Sequence, residues 1–312
     1  MPFASRPRFS WLLRTRSLPL GERTLIMGIL NVTPDSFSEG GAFLQAMAAV
    51  EHGVSLLDQG ADLIDIGGES TRPGAASIGA REEQDRVLPV IEALLRQRPE
   101  SVLSIDTYKA ETARAAIAAG AEIINDVSGF LWDPDMPRAC AGLRCGVVLM
   151  HTHGRPGEWR TQPPLAQNEV VPLVKSGLAQ SLERARAAGV DRSRIVLDPG
   201  YGFGKAFDNN YPLLAHQQEL LELGQPLLAG VSRKSFLGRT LARAPERNLS
   251  PAYPGPANST ELPPDFPPEA RSNATLAATT AAILAGASIV RVHDVRPALE
   301  AASIADAILS AR

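Results

Sequence analysis

The feature of this 312-residue sequence that most restricts its fold is a series of eight short apolar runs, each leading into a polar, chemically capable residue. The runs are Leu25–Leu30, Leu63–Ile66, Val102–Ile105, Glu122–Ile124, Gly146–Met150, Ile195–Leu197, Pro226–Ala229 and Ile289–Val292. Continuous apolarity over so few residues suits parallel strands covered on both faces, where two-residue alternation is lost. Helical patterning fills the spaces between them, for example over Ala46–Gln59, Ala110–Ala119, Val170–Ala188 and Asn273–Ala285, all rich in Ala and Leu. A weak repeat joins the two kinds of segment: Gly60-Ala61-Asp62-Leu63-Ile64, Gly120-Ala121-Glu122-Ile123-Ile124 and Gly286-Ala287-Ser288-Ile289-Val290 share one form. Such a glycine closes a helix in the left-handed conformation, and a strand follows. The alternation predicts an α/β fold, a (β/α)8 TIM barrel forming a single domain over 1–312, with its active site at the C-terminal ends of the strands. An open doubly wound sheet is the alternative, but no Gly-x-Gly-x-x-Gly follows the first strand.

The pattern breaks between Ala244 and Arg271, which carries Pro245, Pro251, Pro254, Pro256, Pro263, Pro264, Pro267 and Pro268. Proline lacks the backbone donor and blocks both helix and central strand, so a surface loop inserted in the seventh βα connection is expected. A net charge of −3 gives no electrostatic case for nucleic acid or an anionic membrane surface. The two cysteines, Cys140 and Cys145, are too few for a disulfide framework and have no histidine cluster to make a zinc site, so core or helix-flank positions are expected. The basic N-terminus, with Arg6, Arg8, Arg14 and Arg16, holds only the apolar cluster Trp11-Leu12-Leu13, too short for a signal segment. No stretch is long and apolar enough for a membrane-spanning helix, and a cytoplasmic location is expected.

The residues that follow the eight runs form one chemical set. Asn31 follows the first run, Gly67-Gly68-Glu69-Ser70-Thr71-Arg72 the second, Asp106 the third and Asn125-Asp126 the fourth. His151, Asp198 and Ser232-Arg233-Lys234 follow the next three, and Arg291 and His293 close the last. The basic members suggest an anionic substrate. Arg72, Arg291 and His293 suit a diphosphate through charge-assisted hydrogen bonds, although a lone loop arginine is as readily a solvated one. The acceptors Asp106, Asn125 and Asp198 suit a heterocycle whose edge carries several N–H donors, while structural ion pairs with arginine are the other reading of the two aspartates. Asn31 offers a side-chain oxygen of the kind Mg²⁺ takes. The segment from Asp198 to Lys205 combines three glycines with the aromatics Tyr201 and Phe203, which fits either a tight turn or the cover of an aromatic ligand.

Taken in order, Asn31-Val32-Thr33-Pro34-Asp35-Ser36-Phe37-Ser38, Gly67 to Gly74, Ser104 to Thr107, Ile124-Asn125-Asp126, Asp198 to Lys205, Ser232 to Ser235 and Arg291 to Asp294 resemble the motifs of the dihydropteroate synthases. The resemblance implies a TIM barrel that joins p-aminobenzoate to a dihydropterin diphosphate in folate biosynthesis, with Mg²⁺ as cofactor and a homodimer as the assembly. By resemblance, Asn31 is the metal-binding asparagine and Thr71 and Arg72 belong to the loop over diphosphate and p-aminobenzoate. Asp106, Asn125, Asp198 and Lys234 match the pterin pocket, and Phe203 and Ser235 flank p-aminobenzoate. Arg291 and His293 match the diphosphate ligands. Asp35 lies in the first loop, and with Arg72, Asp106 and Lys234 it makes up the expected catalytic set. Two departures stand out: Thr152-His153-Gly154 replaces the family's usual Met-Gln-Gly, and the proline-rich insertion is long. The alternatives are a non-catalytic pterin-binding paralogue and a methyltetrahydrofolate:corrinoid methyltransferase, which would share Asp106, Asn125 and Asp198 but not need Thr71-Arg72 or Ser232-Arg233-Lys234.

Overall fold

The computed structural model describes residues 6–33, 41–70, 76–159, 161–162, 165–243 and 266–311. All eight apolar runs are strands. A hairpin of β1 (Phe9–Leu12) and β2 (Ser17–Leu20) precedes β3 (Leu25–Asn31), β4 (Leu63–Gly67), β5 (Val102–Asp106), β6 (Ile123–Asp126), β7 (Gly146–Met150), β8 (Ile195–Asp198), β9 (Leu227–Ala229) and β10 (Ala287–Val292). Strands β3 to β10 are parallel and close in sequence order, with β10 pairing β3. Helices α1 (Gly41–Asp58), α2 (Ala80–Gln97), α3 (Ala110–Ala118), α4 (Met136–Leu143), α5 (Val170–Ala188), α6 (Asn210–Ala215), α7 (Ser235–Ala242), α8 (Ser272–Leu284) and α9 (Val295–Ser310) follow the strands in turn. The repeat glycines sit at φ +103° (Gly60), +112° (Gly120) and +98° (Gly286), so each ends its helix in a conformation closed to most side chains.

Apolar side chains pack in two separate bodies because neighbouring residues of a strand point to opposite faces. One face of each strand, with Ile64, Ile66, Leu103, Ile105, Val147 and Leu149, packs outward on the helices through Val87, Val90, Leu94 and Leu178. The other face fills the lower barrel with Leu25, Met27, Leu63, Val102, Ile123, Val148, Val196, Leu228 and Ile289. The hairpin adds Trp11, Leu13 and Leu20 to this inner body. It meets the barrel at the strands' N-terminal ends, since a Cβ at Gly146, the first residue of β7, would fall 2.6 Å from Leu13 Cδ2 and 3.3 Å from Trp11 Cε2. Trp11 is fully buried and its indole N–H donates to the Arg194 carbonyl at 2.8 Å, so the one polar atom of this floor is satisfied. Both cysteines are buried, as expected.

The predicted proline-rich loop needs correcting at its C-terminal end. Pro268–Arg271 is a short 3-10 helix, with proline at the first turn where its missing N–H costs nothing. Arg271 is 7% exposed and donates from Nε to Phe266 O (2.6 Å) and from Nη1 to Arg233 O (2.7 Å). The rest of the predicted loop, 244–265, lies outside the described residues. Since its proline run suits neither helix nor central strand, replacing 244–265 by a short flexible linker is expected to leave turnover within about twofold, because loop length alone changes closure entropy by only ~0.6 kcal/mol per doubling. Extending the deletion through Arg271 should lower the melting temperature and the activity together. Equal behaviour of the two deletions in thermal melts would refute the anchoring role of Arg271.

Candidate active site

Strand register brings four of the expected residues into one row at the barrel mouth: Asn31 pairs with Gly67, Gly67 with Asp106, and Asp106 with Asn125. Gly67 keeps the row open. A Cβ there would stand 3.8 Å from Asn31 Oδ1 and 3.8 Å from Asp106 Oδ2, so those two oxygens flank the same gap. Arg291 crosses from β10 and is gripped by two carboxylates. Its Nη2 donates to Asp106 Oδ2 at 2.8 Å, and its Nε donates to Asp65 Oδ2 at 2.6 Å. Asp65, wholly buried in the middle of β4, was not among the residues expected from sequence. The same Oδ2 accepts Asn125 Nδ2 at 2.9 Å. Burial works against the charge of Arg291, but Asp65 and Asp106 outweigh it and raise its pKa. Burial, opposed by Arg291 and reinforced by Asp65, pushes the Asp106 carboxyl up to about 7.

Asp198 ends β8 and is almost fully buried. Its Oδ1 accepts the Gly200 N–H at 2.7 Å, while Oδ2 lies 3.7 Å from where a Cβ on Gly230 would be. Glycine at 230, just past β9, therefore leaves room for a flat group against the Asp198 carboxylate. Burial raises the Asp198 carboxyl, against the pull of the Gly200 N–H and Lys234. Lys234 caps the start of α7, and its Nζ stands 4.1 Å from the centre of the Phe203 ring. Burial, reinforced by Arg291 and opposed by Asp198 and Asp106, brings Lys234 down to about 8. Phe203 packs edge-on against Trp159, 5.5 Å between centroids, and Ser235 is the first residue of α7. Phe203 and Lys234 thus stand together on one side of the mouth, and Ser235 follows Lys234 in the chain.

Besides the Asp198 carboxylate, the loop from Gly200 to Lys205 is held by an internal lysine. Lys205 Nζ donates to the carbonyls of Gly200 (2.7 Å), Phe203 (3.2 Å) and His151 (3.3 Å). Burial, partly offset by Asp198, lowers Lys205 to about 7. The unusual Thr152-His153-Gly154 turn belongs to the same joint: His153 N donates to Phe203 O at 3.2 Å and Thr152 Oγ1 to Gly154 O at 2.8 Å. This departure from the family pattern is therefore part of the contact that fixes the Phe203 loop. His151 packs against Gly177, where a Cβ would come within 2.4 Å of its ring, and burial holds its pKa well below the usual histidine value.

The Ser232-Arg233-Lys234 motif splits. Arg233 has φ +56° and turns to Asp294, with Nη2 to Oδ1 at 2.7 Å, so it is a structural ion pair rather than a partner of Lys234 in a basic site. Ser232 Oγ shares a hydrogen bond with His293 Nδ1 at 3.0 Å and accepts the His293 N–H at 3.2 Å, which fixes the ring at the end of β10. Glu69, from the glycine-rich segment after β4, pairs with Lys109, which also reaches Glu83 at 3.3 Å. That ion-pair set ties the β4 and β5 loops together and was not anticipated. Asp35, Thr71 and Arg72 lie outside the described residues.

A barrel with carboxylates, an amide and two cations converging on one mouth is the architecture of the pterin binding enzymes, and this chain belongs to that family, which matches residues 27–293. Among its relatives, dihydropteroate synthase of Bacillus subtilis is 40% identical over 294 residues, covering 94% of this chain and 92% of the relative. Within the family the chain thus stands with the dihydropteroate synthases. Two solved structures agree. Dihydropteroate synthase of Xanthomonas albilineans with 4-aminobenzoic acid superposes with a TM-score of 0.81 at 43% identity, over 98% of this chain and 100% of the other. The Yersinia pestis enzyme in a sulfonamide drug complex gives 0.83 at 40% identity, over 97% and 100%.

Proposed function

We propose that this chain condenses a dihydropterin diphosphate with p-aminobenzoate to dihydropteroate and diphosphate. The observation that carries the reading is the ring of acceptors, Asp106, Asn125 and Asp198, around an opening kept clear by Gly67 and Gly230. A pterin edge is rich in N–H donors and matches that ring. The C–O bond to diphosphate breaks, a C–N bond to the aryl amine forms, and the acidic aryl ammonium gives its proton to water. No nucleophilic side chain and no covalent enzyme intermediate are needed. Asp106, as a carboxylate, favours positive charge on the pterin while the leaving group departs. Arg291 and His293 stand at the end of β10 to meet the diphosphate, with Arg72 from the second loop. Lys234, Phe203 and Ser235 flank p-aminobenzoate. The synthase relatives favour this reading over a corrinoid methyltransferase or a non-catalytic paralogue.

Mg²⁺ fits the site as a metal carried mainly by substrate. Among the described residues no group of three or more His, Cys, Asp or Glu side chains could hold a metal alone. Asn31 supplies one neutral oxygen, and diphosphate oxygens and water suit the remaining positions of so hard an ion. Bound there, the ion would neutralise charge on the departing diphosphate. The same reading includes a homodimer in the cytoplasm, and light scattering of the purified protein tests the assembly. Among the described residues no helix is long and apolar enough to cross a membrane.

The deciding assay combines purified protein, dihydropterin diphosphate, p-aminobenzoate and Mg²⁺, followed for diphosphate and dihydropteroate. Absence of both products would refute the function. A bell-shaped kcat/KM profile is also expected. Activity should fall below about pH 7 as Asp106 takes up a proton, and fall above about pH 8 as Lys234 loses one. Asp106→Asn should leave a slow enzyme without the acid limb. An unchanged acid limb in that variant would assign it to another group.

A further inference from the structure

Asp65 lies one layer below the mouth, two residues before Gly67 on β4, and is wholly buried. It is not itself an expected substrate-binding residue, yet it bonds two residues that are. One oxygen, Oδ2, takes both Arg291 Nε at 2.6 Å and Asn125 Nδ2 at 2.9 Å. An ionised carboxylate only accepts hydrogen bonds, so the Asn125 atom facing it must be the NH₂ group. The Asn125 carbonyl oxygen is thereby turned away from Asp65. A free amide can present either end to a ligand; this one is held to an acceptor.

We propose that Asp65 is a positioning residue that sets the hydrogen-bond polarity of the pterin pocket, fixing Asn125 as an acceptor so that the pocket selects a heterocycle with N–H donors along its edge. The inference rests on the pterin-binding reading above. It also accounts for a carboxylate buried where a packed apolar side chain would be easier to accommodate, since burial of charge is costly without a specific partner. Arg291 supplies the compensating charge and bridges Asp65 to Asp106.

The test is discrimination, which a purely structural role would not move. Full-length wild type and Asp65→Asn are titrated with 6-hydroxymethylpterin and with the matching lumazine, whose C2 carries a carbonyl in place of the amino group. Wild type should prefer the pterin. In Asp65→Asn, where Asn125 is free to turn its NH₂ outward, the preference should fall by about tenfold or more, the size of one mismatched buried hydrogen bond. The KM for p-aminobenzoate should stay within about twofold, since one hydrogen bond of the pterin edge is at stake. The double variant Asp65→Asn/Asn125→Asp restores a carboxylate–amide pair across β4 and β6 and an acceptor toward the ligand, so it should recover the preference. A folded Asp65→Asn protein with undiminished pterin preference overturns the proposal. If that variant does not fold, the double variant decides alone: retained preference supports the proposal, and lost preference overturns it. A wild type that prefers the pterin, loses that preference in Asp65→Asn and yet makes no dihydropteroate would count against the proposed reaction while supporting this inference.

Discussion

Asp198→Ala is expected to abolish measurable pterin binding in a protein that still folds. One Asp198 oxygen is committed to the Gly200 N–H, and the other faces the space beside Gly230. Removing the carboxylate leaves buried N–H donors of the ligand unpaired, at roughly 1–3 kcal/mol each, so two such losses weaken binding on the order of a hundredfold or more. The fold should survive because the Gly200–Lys205 loop keeps its second fastening, the three carbonyls around Lys205 Nζ. Asp198→Asn separates the two duties. Its carbonyl can still accept from Gly200, but the charge and one acceptor are gone, so an intermediate affinity is expected. Calorimetric titration alongside a thermal melt reads both. Wild-type affinity in a folded Asp198→Ala protein would remove Asp198 from the pocket.

The second large effect concerns stability. Arg291→Met keeps much of the side-chain volume but leaves Asp65 and Asp106, 0% and 16% exposed, without their shared cation. Breaking a buried pair on one side typically costs about 3–5 kcal/mol, because the remaining charge is uncompensated. The loss should depend on pH in a defined direction. Arg291 lowers the Asp106 carboxyl, which already stands at about 7, so its removal raises that group further above its unfolded value. A carboxyl raised on folding stabilises most when protonated, and that contribution is lost as pH rises through its folded pKa. The deficit of Arg291→Met should therefore be smaller at about pH 5.5 than at about pH 8 in urea unfolding. Adding Asp65→Asn removes one stranded charge and should return part of the loss. Additive destabilisation in the double variant would mean that the two side chains act independently.

Strand order and most of the mouth were legible in the sequence because each depends on local chemistry. A buried parallel strand announces itself as an apolar run, and the residue after it points to the C-terminal rim. Asp106, Asn125, Asp198 and Lys234 were found this way. Asp65 was not, because it lies inside a run and nothing local distinguishes a buried carboxylate awaiting Arg291 from a strand irregularity. Its partners are far away in sequence, at 125 and 291. Arg233 and Lys234 look alike side by side, yet a left-handed φ at Arg233 sends one to Asp294 and the other to the mouth. The hairpin is silent in the sequence for a different reason. Its strands are four residues each, one holding Pro19, so neither gives a periodic signal. Trp11 becomes meaningful only once the barrel exists to receive it.

The sealed lower barrel has a consequence for traffic. With Trp11, Leu13 and Leu20 packed into the inner apolar body, the N-terminal end of the barrel is filled among the described residues. The acceptors Asn125 and Asp198 are almost fully buried, whereas Phe203 and Ser235 retain exposure on the flank. In the proposed reaction, the ligand against Asn125 and Asp198 would therefore enter before the one against Phe203 and Ser235 and leave after it, an order that product-inhibition kinetics would test. On that reading depth would set the order of substrates, and an outer ligand that came first would act as a stopper.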